Sequence, residues 1–199
     1  MKERFLNFSI SLIKEKRNDI DDTKLAEIKY GLEGLYLTIT KLFIISIIAI
    51  ILGVFKEMII LLIFFNILRN TGFGMHASKS YICLITSGLV FLLLPIIAKY
   101  IVLSPYLKSV LSIISILLIF KNTPADTNKR PLVNRRKRER LKFITTIKCI
   151  TMCFVSLFLK YEYINNLLLI SIYIEIFLTS PLIYRLFHLT YNNYLNYQN

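Results

Sequence analysis

The sequence predicts an all-α polytopic integral membrane protein, with about six hydrophobic helical segments after N-terminal amphipathic helices. Hydrophobic residues make up 55% of the 199 positions, and mean hydropathy is +0.59, which is too apolar for an ordinary soluble domain. Several apolar runs approach the roughly 20 residues that a helical span needs. Basic residues concentrate in one connection between these runs, as is typical of cytoplasmic loops.

The apolar segments are expected to be helices because lipid offers their backbone groups no partner outside the segment. They cover residues 39–54, 57–68, 81–98, 101–120, 143–159 and 164–187. The second is short and follows Lys56 and Glu57, so it is either a tilted span or a re-entrant piece. We expect a single membrane domain over residues 1–199, with four segments in 39–120 and two in 143–187.

Residues 1–37 form an N-terminal amphipathic region without a cleavable signal peptide, because charges interrupt every apolar run in residues 1–30. Phe5, Phe8, Leu12 and Ile13 recur at helical spacing among basic residues, which fits a helix on an anionic membrane surface. A solvated helix without a special role fits equally well. Residues 21–23 can cap a second helix that leads into the first span.

The net charge of +13 raises the question of nucleic acid or anionic lipid as a partner. Residues 121–142 hold nine basic and two acidic residues, so this connection carries +7 of the total. A connection between two spans is a poor nucleic-acid-binding domain but a strong marker of the cytoplasmic side. Alternation then puts residues 69–80 at the cytoplasmic face and the C-terminus in the cytoplasm, and the N-terminus as well if the second segment crosses. Lys99 and Lys108 weaken the charge asymmetry.

His76 and Cys83 stand out in the polar, glycine-broken stretch 69–83 between two apolar runs. An imidazole near a thiol suggests a cysteine nucleophile with its base, because the base can hold the sulfur as a thiolate. Two packing or interfacial residues are the plainer interpretation. On one unbroken helix these residues would lie about 10 Å apart along the axis, too far for proton transfer.

We therefore expect the chain to be non-helical around His76, with Gly72 and Gly74 allowing a sharp turn. The following helix should begin after His76 and hold Cys83 in its first turn or so, where the helix dipole favours a thiolate. Arg69 and Lys79 flank the site, as interfacial anchors or as groups that orient an acidic peptide or an oxyanion.

The other reactive side chains give weaker signals. Cys149 and Cys153 lie one helical turn apart in an apolar run and are interpreted as packing residues. A zinc site joining them to His76 and Cys83 lacks the usual ligand spacing, so no metal or other cofactor is expected. Glu175 is an isolated acid within the last segment, where a charge is costly and often functional.

Three motifs in order resemble the accessory gene regulator B (AgrB) family of membrane peptidases. The central motif runs from Arg69 through Gly74-Met-His76-Ala to Cys83. Tyr30-Gly-Leu-Glu33 precedes the first span, and Thr123-Pro-Ala-Asp126 opens a proline-bracketed stretch that ends at Pro131. The family usually has two adjacent glycines where this chain has Phe73-Gly74, which puts the loop geometry in question.

The resemblance implies a cysteine endopeptidase that acts on a small quorum-sensing peptide precursor in the cell membrane. The residue matching Cys83 forms an acyl-enzyme, the residue matching His76 is its base, and a precursor cysteine or serine closes a (thio)lactone ring. The resemblance also implies a homodimer. Arg69, Gly74, Lys79, Lys129, Arg130, Arg135 and Arg136 are candidate substrate-binding residues. A non-enzymatic peptide exporter or transporter subunit is the alternative, and a metallopeptidase would need ligands that the sequence does not supply.

Overall fold

The structure is a computed structural model that describes residues 2–16, 21–75, 80–128 and 130–197. Its helices are α1 (Lys2–Lys16), α2 (Asp22–Ile51), α3 (Phe55–Gly72), α4 (Ser80–Ala98), α5 (Pro105–Asn122), α6 (Arg135–Phe158), α7 (Glu162–Thr179), α8 (Pro181–Leu186) and a 3₁₀ helix at Asn193–Tyr197. The predicted all-α membrane fold is confirmed. Five of these helices, α2 and α4 to α7, are long and apolar enough to cross a membrane. The chain divides into two compact units, Met1–Ile51 and Leu52–Asn199.

The first unit consists of α1 and α2. Leu6 is buried, the rings of Phe5 and Tyr36 lie 5.4 Å apart, and the Lys2 ammonium donates to Glu33 at 2.6 Å. These contacts fix α1 along the amino-terminal half of α2. The amphipathic first helix predicted from the sequence is therefore present, and the second helix runs without a break into the first span. The interaction of α1 with a membrane surface stays a prediction.

In the second unit, α3 is longer than the short segment 57–68 that the sequence predicted. Its 18 residues reach about 27 Å at the rise of an α-helix. Near its start, Glu57 pairs with Lys99 at 3.7 Å, and at its other end Gly72 accepts a hydrogen bond from Ala125 in the connection after α5. Thus α3 extends along this bundle over a length close to that of a membrane span, and its crossing of the membrane stays a prediction. It carries Lys56, Glu57 and Arg69, and it is not among the five helices that are long and apolar enough to cross a membrane.

Two further segment boundaries differ from the sequence prediction. The basic stretch 121–142 is not one loop, because α5 runs to Asn122 and α6 begins at Arg135, capped by Asn134, which accepts from Lys137 N at 3.1 Å. The predicted segment 164–187 is two helices. Ser180 caps α8, and Pro181 at its first turn cannot donate to a continuing α7.

At the end of the bundle opposite the basic stretch, charges are paired. The Lys108 ammonium lies 3.4 Å from Glu162, and Lys99 pairs with Glu57 as described above. The two lysines that weakened the predicted charge asymmetry are therefore each neutralised by an acid. The buried Asn166 amide donates to Ala98 O at 3.1 Å and Ile101 O at 2.8 Å, which satisfies carbonyls where α4 ends.

The core of the second unit lies where α3, α5, α6 and α7 meet. Its buried members are Leu68, Ile119, Cys149, Met152, Cys153, Leu168, Ile172 and Ile176. Small side chains line the same contacts, as is typical of helix packing in membranes. Cys149 and Cys153 are thus packing residues, as the sequence indicated.

Candidate functional site

The polypeptide turns sharply where α3 ends, in residues 73–75. Phe73 has φ of 60° and Gly74 has φ of 98°, both in the left-handed region that favours glycine. A side chain at Gly74 would also lie 2.8 Å from Leu178 O, and one at Gly72 would collide with the Glu175 carboxylate. Gly74 is therefore required by its positive φ and by the nearby backbone, a side chain at Gly72 would force the Glu175 carboxylate to move, and Phe73 occupies a strained conformation.

Three backbone hydrogen bonds hold this turn against two other parts of the second unit. Gly74 N donates to Ala125 O at 2.7 Å, Ala125 N donates to Gly72 O at 3.0 Å, and Met75 N donates to Leu178 O at 3.0 Å. The first two form a parallel bridge between residues 73 and 125. The chain leading to His76 is thus fixed by the connection after α5 and by the end of α7.

Arg69, in the last turn of α3, wraps around the same turn. Its guanidinium donates to the carbonyl oxygens of Phe73, Gly74 (3.3 Å) and Met75 (2.7 Å). Its side chain is only 12% exposed, and Nη1 lies 3.7 Å from an oxygen of Glu175, which is fully buried. The negative charge of Glu175 compensates the positive charge of Arg69, because burying an unpaired charge in low-dielectric surroundings costs free energy.

Cys83 lies in the first turn of α4, which begins at Ser80. The thiol is partly buried, and its sulfur lies 4.0 Å from Ser87 Oγ. The amino end of α4 carries the positive end of the helix dipole. His76 and Lys79 lie outside the described residues. The non-helical conformation of residues 73–75 and the start of α4 agree with the break that the dyad spacing requires.

The connection 123–134, here called the proline loop, is anchored by the buried carboxylate of Asp126. One carboxylate oxygen accepts from Leu132 N (3.2 Å) and Tyr194 N (2.9 Å), and the other accepts from Asn193 N (2.8 Å). One side chain therefore ties the loop to itself and to the C-terminal 3₁₀ helix. A carboxylate that accepts several backbone N–H groups is a strong local anchor.

Two tyrosines complete this anchor from the C-terminal side. The Tyr184 hydroxyl donates to Asp126 O at 2.9 Å, and that of Tyr191 donates to Asn122 O at 3.2 Å. Burial raises the pKa of Tyr184 above its usual range and raises the pKa of Tyr191 to about 12. Both phenols are therefore neutral donors at physiological pH.

A cleft of about 420 Å³ opens between the proline loop, the start of α6 and the C-terminal segment. The basic side chains that line it are Lys121, Arg135, Arg138 and Lys142, and Glu139 is its acidic lining residue. Arg138 is already engaged: Nη1 donates to Leu132 O at 2.7 Å and Val133 O at 2.8 Å. Arg135 pairs with Glu139 at 2.8 Å. The positive charge of the cleft can attract an anion. Arg138 and Arg135 already have partners within the protein, so they are less available to bind one.

The predicted binding residues thus fall into different surroundings. Arg69 and Gly74 form the turn before His76, Arg135 lines the cleft, Arg130 and Arg136 are exposed, and Lys129 is outside the described residues. Sequence reasoning assigned no role to Asp126, although an acid amid so many basic residues was a usable signal. It gave no signal for Tyr184 or Asn193. Within the described residues, no cluster of three metal-ligating side chains occurs.

The profile of the family described as Accessory gene regulator B matches residues 7–179. An AgrB-like protein of Clostridium acetobutylicum is 31% identical over 189 residues, covering 95% of this chain and 90% of that protein. Accessory gene regulator protein B of Staphylococcus aureus is 29% identical over 170 residues, covering 85% of this chain and 90% of that protein. No solved structure matches significantly.

Proposed function

This chain belongs to the accessory gene regulator B family of quorum-sensing proteins, and on that premise we propose that it is a membrane cysteine endopeptidase. Its substrate is the precursor of an autoinducing peptide, Cys83 is the nucleophile, and His76 is the base. The observation that supports this best is the fixed turn at residues 73–75 followed by a helix whose first turn holds Cys83. Such a break lets an imidazole fold back over the sulfur, which one continuous helix would prevent.

In the first step, His76 takes the thiol proton and the Cys83 sulfur attacks the carbonyl carbon of the scissile peptide bond. The C–N bond breaks, the proton passes from His76 to the leaving amine, and the C-terminal tail departs. A thiol or hydroxyl of the precursor then attacks the thioester. Its proton returns through His76 to the Cys83 sulfur as the (thio)lactone leaves. Limited water at a bilayer rim favours this cyclisation over hydrolysis.

We place the site at the cytoplasmic face. The turn 73–75, the proline loop and the C-terminal segment are joined by hydrogen bonds at one end of the second unit, and this end carries the exposed arginines at the start of α6. Positive residues collect on the cytoplasmic side. Cysteine-accessibility labelling in intact cells tests this orientation: labelling of a cysteine introduced at exposed Arg136 by an impermeant reagent from outside contradicts it.

Two variants separate the enzyme from an exporter or transporter subunit. Cys83→Ser and His76→Ala should each lower precursor cleavage by about 100-fold or more, with normal membrane insertion. Cys149→Ala is the matched control, because its thiol is buried in the core and plays no part in the proposed chemistry. Normal processing of the precursor by both variants would exclude the cysteine peptidase and favour the exporter or transporter subunit. Chelator sensitivity would instead favour a metallopeptidase.

The basic cleft and the exposed arginines beside it are proposed to hold the acidic tail of the precursor. Lys129, Arg130, Arg135 and Arg136 are the candidates. The combined change of Arg130, Arg135 and Arg136 to Gln should raise KM and weaken its dependence on salt, because screening then has fewer charges to act on. Arg138 stays unchanged because it holds loop carbonyls. An unaltered KM in a correctly inserted protein removes this role and leaves the charges as topological markers.

We also propose that the protein acts as a homodimer, as its family resemblance implies. Cross-linking in native membranes, followed by mass measurement, tests this. A monomer with full activity would contradict it.

A further inference from the structure

Glu175 is the least expected side chain of the second unit. It lies in α7, is fully buried, and has the Arg69 guanidinium 3.7 Å away. Among the described residues, neither of its carboxylate oxygens has a hydrogen-bond partner. A buried carboxylate without hydrogen bonds is costly. Packing alone therefore does not explain why a carboxylate occupies this position.

The residues around Glu175 indicate which part of the structure its carboxylate supports. A Cβ at Gly72 would collide with its carboxylate, so the chain uses a glycine where α3 passes this acid. Arg69, its ionic partner, directs hydrogen bonds to the carbonyls of Phe73 and Met75, and more weakly to that of Gly74. Among the described residues, Glu175 reaches the turn through Arg69, and the missing side chain of Gly72 leaves room for its carboxylate.

From these contacts we infer that Glu175 is a positioning residue, which orients the Arg69 guanidinium and through it the backbone that carries His76. The inference rests on the proposed function, because it assigns Glu175 a part in the geometry of the Cys83–His76 pair. Without the carboxylate, the guanidinium loses the charge that holds it against the end of α7. It is then free to seek other acceptors, and the three carbonyls lose a common donor.

The test is the pH dependence of Cys83 alkylation by iodoacetamide, read by mass spectrometry in the full-length protein in detergent. Cys149 and Cys153 are buried, so their labelling is separable from that of Cys83. Glu175→Gln keeps the shape but removes the charge. We expect the midpoint of Cys83 alkylation to rise by about one pH unit, because a displaced imidazole no longer favours the thiolate, and precursor cleavage to fall at least tenfold. Glu175→Asp should recover part of both values.

Ser171→Ala is the matched control. Ser171 is equally buried, lies one turn earlier on α7, and donates to Leu168 O at 2.6 Å within its own helix. It should leave the alkylation midpoint unchanged. A Glu175→Gln protein with a wild-type midpoint and wild-type cleavage overturns the inference.

If Glu175→Gln yields no folded protein, the double variant Arg69→Gln/Glu175→Gln removes both buried charges and replaces it. A positioning role predicts a folded protein with a raised midpoint, while a wild-type midpoint refutes the role. The proposed function fails separately, through a Cys83→Ser protein that still cleaves the precursor. Loss of cleavage in Cys83→Ser together with a silent Glu175→Gln removes the positioning role alone.

Discussion

Replacing Asp126 is predicted to release the C-terminal segment from the proline loop. In Asp126→Ala, the backbone N–H groups of Leu132, Asn193 and Tyr194 lose their acceptor. A buried donor left without a partner costs about 1–3 kcal/mol. Because Tyr194 is only partly buried and water can reach it, we expect a total local cost of about 3–5 kcal/mol.

Hydrogen exchange of these three amides measures that cost directly, because exchange reports local opening. Each 1.4 kcal/mol is a factor of about ten, so exchange in Asp126→Ala should be accelerated about 100-fold or more. Asp126→Asn keeps one acceptor oxygen and should give an intermediate acceleration. Asn128→Ala is the control on the same loop, since Asn128 accepts one side-chain bond, from Thr190. Exchange within threefold of wild type at all three amides in a folded Asp126→Ala protein would refute the reasoning.

Three further outcomes follow from the same contacts. Gly72→Ala should lower the melting temperature because its methyl meets the Glu175 carboxylate, whereas Gly88→Ala, with open space around it, should raise it. Phe73→Gly should be more stable than Phe73→Ala by about 1 kcal/mol in thermal unfolding, because φ is positive there; the reverse order contradicts that backbone conformation. Arg138→Gln should make the C-terminal segment more susceptible to limited proteolysis, because the Arg138 guanidinium lies 3.8 Å from the centroid of the Tyr194 ring. Exposed Arg136→Gln should not have this effect, and equal digestion of the two variants contradicts the assignment.

Much of the fold could be predicted from the sequence because lipid imposes helices on long apolar runs. For this reason segment 81–98 lies within α4, and segment 143–159 lies within α6 apart from its last residue, which caps that helix. The predicted segment boundaries were wrong where capping residues and a proline decide where a helix begins or ends. Asn134 starts α6 within the basic stretch, and Ser180-Pro181 ends α7 within an apolar run. Hydropathy is insensitive to both signals.

For the candidate site, residue types and spacing predicted a break in the helix before Cys83, because a dyad needs one. The groups that enforce the break come from far along the chain. Ala125 and Leu178 supply its backbone acceptors, and Glu175 pairs with Arg69 across more than 100 positions of sequence. Such pairings depend on how the helices pack, and residue types and spacing in a single sequence do not indicate them.

At Phe73 the sequence carries a signal that only the structure explains. The sequence indicated an unusual residue in place of a family glycine, and the structure shows a positive φ at that residue. In this chain φ is positive at both Phe73 and Gly74, a conformation that favours glycine at either position. This chain has a phenylalanine at the first of these positions and retains Gly72 for the contact with Glu175.

The most direct test of the proposed chemistry is the capture of the covalent intermediate. Purified protein is mixed with a precursor whose ring-closing cysteine or serine is changed to alanine, and the reaction is quenched in acid and analysed by mass spectrometry. We predict a thioester on Cys83 that carries the precursor without its tail and is absent in Cys83→Ala. Release of the tail with no adduct on Cys83, or an adduct on any other residue, would contradict the account.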